Sequence, residues 1–161
     1  LHYLCGDVIT EVTAQLRTLN KTFPDGNPIT VDDNAFCIYR MKGGATGTMH
    51  VSWTFYGEED NSTLLYGTKG IIRCYADPTY ALILEKPGQP TEKVILDKMT
   101  SNEEQNAGGR TSTGVIDAFV GSIVNDHVPA ISGEEAIKAM RVIFAAEESA
   151  ATGRPVQINQ Q

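Results

Sequence analysis

Residues 34–55 read NAFCIYRMKGGATGTMHVSWTF and contain two runs rich in β-branched and aromatic side chains. The runs cover residues 34–42 and 46–55, and the short segment GGA joins them. Because glycine readily adopts the positive φ that tight turns require, this pattern predicts a β-hairpin. The rest of the fold can be predicted outward from that hairpin.

Further strands are predicted on both sides of the hairpin. Residues 7–19 alternate apolar and polar side chains with a period of two and one irregularity, which is typical of a strand with one buried face. Two more pairs of β-rich runs bracket glycine-containing turns at residues 67–70 and 87–90. Seven strands linked mostly by short turns indicate a largely antiparallel sheet.

The last third of the sequence predicts two helices. Apolar residues recur at helical spacing from Val115 to Val124. A second helix is expected from Ser132, which opens the capping box SGEE, to Gly153, a typical C-terminal stop. We therefore expect an α+β fold in which helices pack on one face of a broad, largely antiparallel sheet. Residues 1–161 are expected to form a single domain.

Charge and composition indicate which classes of partner to expect. The net charge is −7 and the basic residues are scattered, so neither nucleic acid nor an anionic membrane surface is an expected partner. No apolar run approaches the ~18 residues that a membrane span needs. The cysteines Cys5, Cys37 and Cys74 are odd in number, far apart and without a CxxC motif. Reduced thiols, and with them a cytoplasmic protein, are the expectation.

Two glycine-rich stretches could be read as cofactor loops. The GTKG stretch at residues 67–70 lacks the GxxxxGK[ST] form and precedes β-branched residues, so it favours a hairpin turn over a phosphate loop. The stretch at residues 43–47 fails as a dinucleotide fingerprint because no helix pattern follows it. We therefore expect no cofactor-binding residues in this chain, and no histidine has a second base or nucleophile at motif spacing.

Residues 53–61 (WTFYGEEDN) contain most of the candidate binding residues. The acids at 58–60 lack the spacing of a calcium loop and the His or Cys partners that zinc favours, so a solvated turn is the simpler interpretation and no metal site is predicted. The alternative is a rim for a polar ligand. Trp53 and Tyr56 would offer stacking surface, and Glu59 and Asn61 would offer acceptors for hydroxyl groups.

Arg110 is a further candidate for substrate binding. It follows two glycines in a long, polar loop that covers residues 99–113. Flexible neighbours could let its guanidinium close over an anionic or hydroxylated ligand, and a solvated loop residue is the alternative.

The order of these elements, together with several local phrases, resembles one known group of proteins. The similarity is to the C-terminal domain of the Gfo/Idh/MocA oxidoreductases, the glucose-fructose oxidoreductase and inositol dehydrogenase group, and it extends over nearly the whole chain. It rests on the phrases YLCGD at 3–7, DDNA at 32–35, GATGT through SW at 44–53, GTKG at 67–70, and SGEEA through GRPV at 132–156.

The resemblance implies a fold and an activity. It implies a C-terminal domain of the glyceraldehyde-3-phosphate dehydrogenase type, a separate N-terminal Rossmann domain for NAD or NADP, and hydride transfer to or from a sugar, cyclitol or related polyol. In the family the catalytic Lys lies in a Glu-Lys-Pro signature of the Rossmann domain. The same letters at residues 85–87 end a predicted strand and are read as coincidence. The family's catalytic Asp and His would precede Leu1, and His2 does not match that histidine. The chain alone is therefore expected to have no catalytic residues and to be inactive.

The resemblance also implies partners. A homodimer or homotetramer would form through the open sheet face, and the Trp53–Asn61 segment would lie at the substrate-facing rim. The alternative is a stand-alone β-sheet protein that binds a small ligand or dimerises without catalytic activity.

Overall fold

The computed structural model describes residues 1–54, 57, 59–95 and 115–159. The chain divides into two compact units, residues 1–56 with 126–161 and residues 57–125. In chain order the helices and strands are α1 (His2–Cys5), β1 (Ile9–Arg17), β2 (Asn34–Met41), β3 (Thr46–Ser52), β4 (Thr63–Gly67), β5 (Gly70–Cys74), β6 (Leu82–Glu85), β7 (Glu92–Val94), α2 (Val115–Val124), α3 (Gly133–Thr152) and β8 (Val156–Gln157).

The predicted α+β class and the antiparallel pairing are confirmed. The strands lie in two four-stranded sheets, with orders β3-β2-β1-β8 and β4-β5-β6-β7, where the sequence suggested one broad sheet. Short turns join β2 to β3, β4 to β5 and β6 to β7, whereas the longer segment 18–33 joins β1 to β2. The segment between Ser52 and Thr63 is longer than a tight turn, so β3 and β4 are not joined as a hairpin.

The hairpin predicted from residues 34–55 is confirmed as β2 and β3. Cys37 lies opposite Met49, and Gly44 in the connecting turn has φ 93°, a conformation that favours glycine. The irregularity predicted in the first strand is a shift of register between Ile9 and Glu11, after which β1 pairs continuously with β2.

The strand β8 was missed at the level of sequence. Val156 and Gln157 pair with Val12 and Glu11 at the edge of β1. Two residues are too few for an alternating pattern, so only the pairing in three dimensions identifies this strand.

Helix α3 covers one face of the first sheet. Its buried residues recur every three or four positions and join the strands in one core, which contains Ile9, Val12, Ala14, Cys37, Tyr39, Met41, Val142, Ala145, Ala146 and Ile158. The small alanine side chains let the helix backbone approach the sheet closely. The predicted ends of the helix are confirmed: the Glu135 amide donates to Ser132 Oγ at 3.4 Å, and Gly153 has φ 69°. The Glu135 carboxylate pairs with Lys138.

Ser149 ties α3 to the sheet. Its side chain is fully buried. Its hydroxyl accepts a hydrogen bond from the Ala14 amide at 3.0 Å and donates one to the Arg154 carbonyl at 2.7 Å. Ala14 lies beyond the part of β1 that β8 pairs, so the hydroxyl continues the hydrogen bonding of that edge.

The second unit contains the meander β4 to β7. Gly67 and Gly70 face each other across the turn, which agrees with the predicted hairpin at GTKG. A Cβ at Gly70 would lie 2.3 Å from the Glu85 carbonyl oxygen, so this close approach requires glycine.

Helix α2 is confirmed as a helix, but its apolar residues are largely exposed, from 49% at Val115 to 77% at Ile116. The sequence pattern suggested that both helices pack on a sheet face. Within the residues that the structure describes, this packing is found for α3 only. Among the described residues, no helix is long and apolar enough to cross a membrane.

Candidate functional site

Trp53 directly follows β3 and presents an exposed aromatic side chain. The residue is 64% exposed, yet its backbone amide is held, because it donates to the carbonyl oxygen of Asp33 at 2.9 Å. An exposed indole on a fixed backbone is suited to stacking against the apolar face of a ligand.

The Asp33 carboxylate is buried beside this contact. Only 3% of the residue is exposed. Its oxygens accept the three successive backbone amides of Leu19, Asn20 and Lys21, at 2.9, 3.3 and 3.2 Å. Successive amides that converge in this way form a concave site for negative charge, which here is filled by the protein's own side chain.

The hydrogen bonds set the charge state of Asp33. Burial by itself would raise the pKa of the Asp33 carboxyl. The hydrogen bonds from the Asn34 side chain and from the amides of residues 19–21 outweigh burial and lower that pKa from 3.8 to about 2. Asp33 is therefore ionised at neutral pH.

Asn34 extends the hydrogen bonding to the residues that flank Trp53. Its Nδ2 donates to Asp33 Oδ1 at 2.8 Å and to Thr54 Oγ1 at 2.9 Å. Thr54 Oγ1 in turn lies 3.0 Å from Ser52 Oγ, which also accepts the Thr54 amide at 3.1 Å. We call Asp33, Asn34, Ser52 and Thr54, with the amides of residues 19–21, the Asp33 network.

Glu59 and Asn61 lie in the second unit, before β4. Asn61 Nδ2 donates to Glu59 Oε1 at 2.6 Å, and both residues are exposed. The neighbouring Ser62 amide donates to Asp60 Oδ1 at 2.9 Å, and this bond lowers the pKa of the Asp60 carboxyl. The structure thus brings two of the predicted binding residues into direct contact with each other.

The other predicted binding residues are distributed as follows. Trp53 belongs to the first unit, whereas Glu59 and Asn61 belong to the second. Tyr56 and Arg110 lie outside the described residues. Their role in substrate binding stays a prediction, as does that of the other three.

The Asp33 network was not predicted as part of a site. Its sequence signal is the acid and amide pair of the DDNA phrase, placed between a loop and the strand β2. Side chains of this type commonly bind nearby backbone amides. The pattern does not reveal that the partners are amides of residues 19–21 and a threonine after β3, because those contacts depend on the sheet register.

The glycine turns at residues 43–45 and 67–70 do not fit a nicotinamide cofactor. Such a cofactor is held where a strand, a glycine loop and a helix N-terminus meet. Here residues 43–45 and 67–70 join antiparallel strands. In the part of the chain that the structure describes, no group of three or more His, Cys, Asp or Glu side chains could hold a metal ion.

The face of the first sheet opposite α3 is mixed in character. Phe36 and Ile38 are 47% and 55% exposed there, and the Phe36 ring stacks on His50 with centroids 4.2 Å apart. Around them lie polar side chains, including the ion pair between Arg40 Nε and Glu11 Oε1 at 3.6 Å. Two apolar side chains within a polar surround resemble the centre and rim of a protein interface.

Residues 1–73 match the family model of the GFO/IDH/MocA C-terminal domain. Over these residues the resemblance to the GFO/IDH/MocA C-terminal domain is confirmed. No curated protein matches the chain.

Solved structures extend the similarity to almost the whole chain. An oxidoreductase domain protein from Kribbella flavida is 21% identical with a TM-score of 0.79, and the match covers 98% of this chain and 46% of that one. Aldose-aldose oxidoreductase from Caulobacter crescentus, complexed with glycerol, is 21% identical with a TM-score of 0.71 and coverages of 98% and 43%. Levoglucosan dehydrogenase, in complex with NADH and levoglucosan, is 17% identical with a TM-score of 0.78 and coverages of 96% and 46%.

These likenesses establish a common fold with part of each oxidoreductase. The chain spans just under half the length of the structures it matches.

Proposed function

We propose that the chain is the C-terminal substrate-binding and oligomerisation domain of an NAD(P)-dependent oxidoreductase that acts on a sugar, cyclitol or related polyol. The observation that carries this proposal is the match of residues 1–73 to the GFO/IDH/MocA C-terminal domain, supported by the shared fold with oxidoreductases over nearly the whole chain. The 161 residues would act together as this domain in the cytoplasm.

In this proposal the cofactor is held by a Rossmann domain outside the chain. Levoglucosan dehydrogenase, one of the similar structures, is in complex with NADH. The glycine turns at residues 43–45 and 67–70 join antiparallel strands, which supports the assignment of NAD or NADP to another part of the parent protein.

A cofactor titration tests this assignment. The purified chain is mixed with NADH, and binding is followed by cofactor fluorescence while turnover is assayed with glucose and myo-inositol in the presence of NAD+ or NADP+. We expect neither binding nor turnover. A micromolar Kd for NADH, or turnover of any polyol, would contradict the assignment.

The substrate-binding part of the proposal rests on Trp53, with Glu59, Asn61, Tyr56 and Arg110 as further contacts. Sugars present an apolar face of C–H groups and a rim of hydroxyls, so an exposed indole matches the first and side-chain acceptors match the second. Among the residues of the predicted rim that the structure describes, Trp53 supplies an exposed aromatic surface, and Glu59 and Asn61 supply polar groups.

The oligomer would form through the open face of the first sheet, with a second copy of the chain as the partner. Ile38 lies half-exposed in the middle of β2, beside the stacked Phe36 and His50. A stable pair of chains would bury about 1,600 Å² in total through this face.

Light scattering on two variants tests the interface. Ile38→Glu places a charge in the centre of the proposed contact, so we expect a dimer or tetramer to become a monomer. The matched control is Ile131→Glu, at a position 71% exposed before α3, which should leave the oligomer intact. A wild-type chain that stays monomeric at high concentration would contradict this part of the proposal.

A further inference from the structure

We infer that the Asp33 network positions Trp53 for ligand recognition, with Asn34 and Thr54 as the positioning residues. The inference that Trp53 is positioned stands on hydrogen bonds within the first unit. Its use in recognition rests on the proposed function.

The side chain and the backbone of Trp53 differ in how they are held. The residue as a whole is largely exposed, so apolar packing does not hold the segment. Its amide nevertheless donates to the Asp33 carbonyl, and Thr54 Oγ1 accepts a hydrogen bond from Asn34 Nδ2. The segment 52–54 is therefore attached to residues 33–34 by its backbone on one side and by a side chain on the other.

Residues 33–34 are themselves anchored. Asp33 and Asn34 are buried, at 3% and 5% exposure. The Asp33 carboxylate accepts three amides of the loop after β1, and the Asp33 amide donates to the Arg17 carbonyl at 3.1 Å. The loop and the Trp53 segment thus share one buried anchor.

Such an anchor favours binding. A contact residue that is already ordered loses less conformational freedom when a ligand arrives, and affinity rises accordingly. Groups whose rotamers and backbone are fixed by a surrounding layer of hydrogen bonds also keep their geometry better than groups on free loops. An exposed aromatic residue on an anchored backbone has both properties.

The experiment uses Thr54→Val, which removes the hydroxyl that accepts the Asn34 hydrogen bond but keeps the shape of the side chain. Its matched control is Thr46→Val, at the other end of β3, where the side chain is exposed. Far-UV circular dichroism and thermal unfolding first establish that both variants fold. A second test variant, Asn34→Ala, removes the donor from the other side.

Two readouts follow in the 161-residue protein. The first is the backbone order parameter of Trp53 from ¹⁵N relaxation, which we expect to fall from about 0.85 to below about 0.6 in Thr54→Val and to stay unchanged in Thr46→Val. The second is the Kd for glucose and myo-inositol, measured by titration of the Trp53 indole signal, which we expect to rise about fivefold in Thr54→Val. Trp53 is the single tryptophan of the chain, so its indole signal needs no assignment.

The outcomes separate this inference from the proposed function. Unchanged order at Trp53 in both test variants would overturn the positioning role, whatever the ligand data show. A fall in order without a rise in Kd would overturn its use in recognition. If the wild-type chain binds neither polyol, the proposed recognition fails, while the order parameter alone still decides whether the Asp33 network positions Trp53.

Discussion

Trp53 and the Glu59–Asn61 pair were predicted as parts of one ligand rim, yet the structure holds them by different means. The Trp53 segment is attached to a buried carboxylate that accepts three amides. The Glu59–Asn61 pair is an exposed hydrogen bond between neighbours in sequence. Water competes with an exposed bond of this kind, so its net contribution is small. Residues on either side of a strand end can thus be held by a buried anchor or by an exposed hydrogen bond alone.

The largest effect is expected from Asp33→Asn. The asparagine side chain keeps one acceptor oxygen but places an amide group against the partly buried backbone donors of residues 19–21, so at least one of these amides loses its partner. We expect the midpoint of thermal unfolding to fall by about 5–10 °C.

The control for this change is Asp25→Asn. Asp25 also accepts a backbone amide and a side-chain amide, both from Asn27, but the bonds are exposed. Its substitution should shift the midpoint by less than about 2 °C. Equal shifts of the unfolding midpoint in the two variants would show that the buried Asp33 stabilises the fold no more than the exposed Asp25.

The next effect is on ligand binding. Trp53→Ala removes the stacking surface, and we expect the Kd for the bound polyol to rise at least about fivefold, because an aromatic contact of this kind contributes on the order of 1–3 kcal/mol. Saturation-transfer NMR on the ligand measures this without the indole signal. Retained affinity in Trp53→Ala would exclude this residue from the binding site.

A pH titration sharpens the comparison further. The pKa of Asp33 in the folded protein is lowered to about 2, below its ordinary value of 3.8. The ionised carboxylate therefore stabilises the fold above pH 4, and this contribution is lost as the pH falls from about 4 to about 2. We expect the urea midpoint of the wild-type chain to decline over this range more steeply than that of Asp33→Asn. Parallel curves would show that Asp33 does not contribute in this way.

The smallest effect is expected from Asn61→Ala. The substitution removes the exposed hydrogen bond to Glu59, so the unfolding midpoint should stay within about 1 °C of wild type. The Kd for a polyol should change by less than about threefold, since a single solvated acceptor contributes little. A loss of affinity as large as that of Trp53→Ala would place the acidic turn at the centre of recognition.

The sequence allowed much of the fold to be predicted because its signals are local. Alternation identified β1, paired glycines identified the hairpins, and Ser132 with Gly153 marked the ends of α3. The strand β8 depends on a pairing between distant residues, and the division into two sheets follows because the described strands β3 and β4 do not pair. Neither feature leaves a local pattern.

The candidate site was predictable only in part. Trp53 and Asn61 stood out by type and position. In the structure Trp53 is exposed and Asn61 contacts Glu59, and their part in substrate binding stays a prediction. The Asp33 network was not foreseen, because a sequence does not show which amides of a preceding loop lie within reach of a carboxylate. Burial of a charge surrounded by donors is a property of the folded chain.

The most direct test of the account is a ¹H–¹⁵N correlation spectrum of the 161-residue chain, recorded while glucose or myo-inositol is added. The account predicts a saturable shift of the one indole N–H signal, that of Trp53, together with the amides of residues 52–54. An indole signal that stays fixed up to saturating polyol, in a chain whose order parameters show Trp53 to be rigid, would contradict the claim that this anchored aromatic residue recognises the substrate.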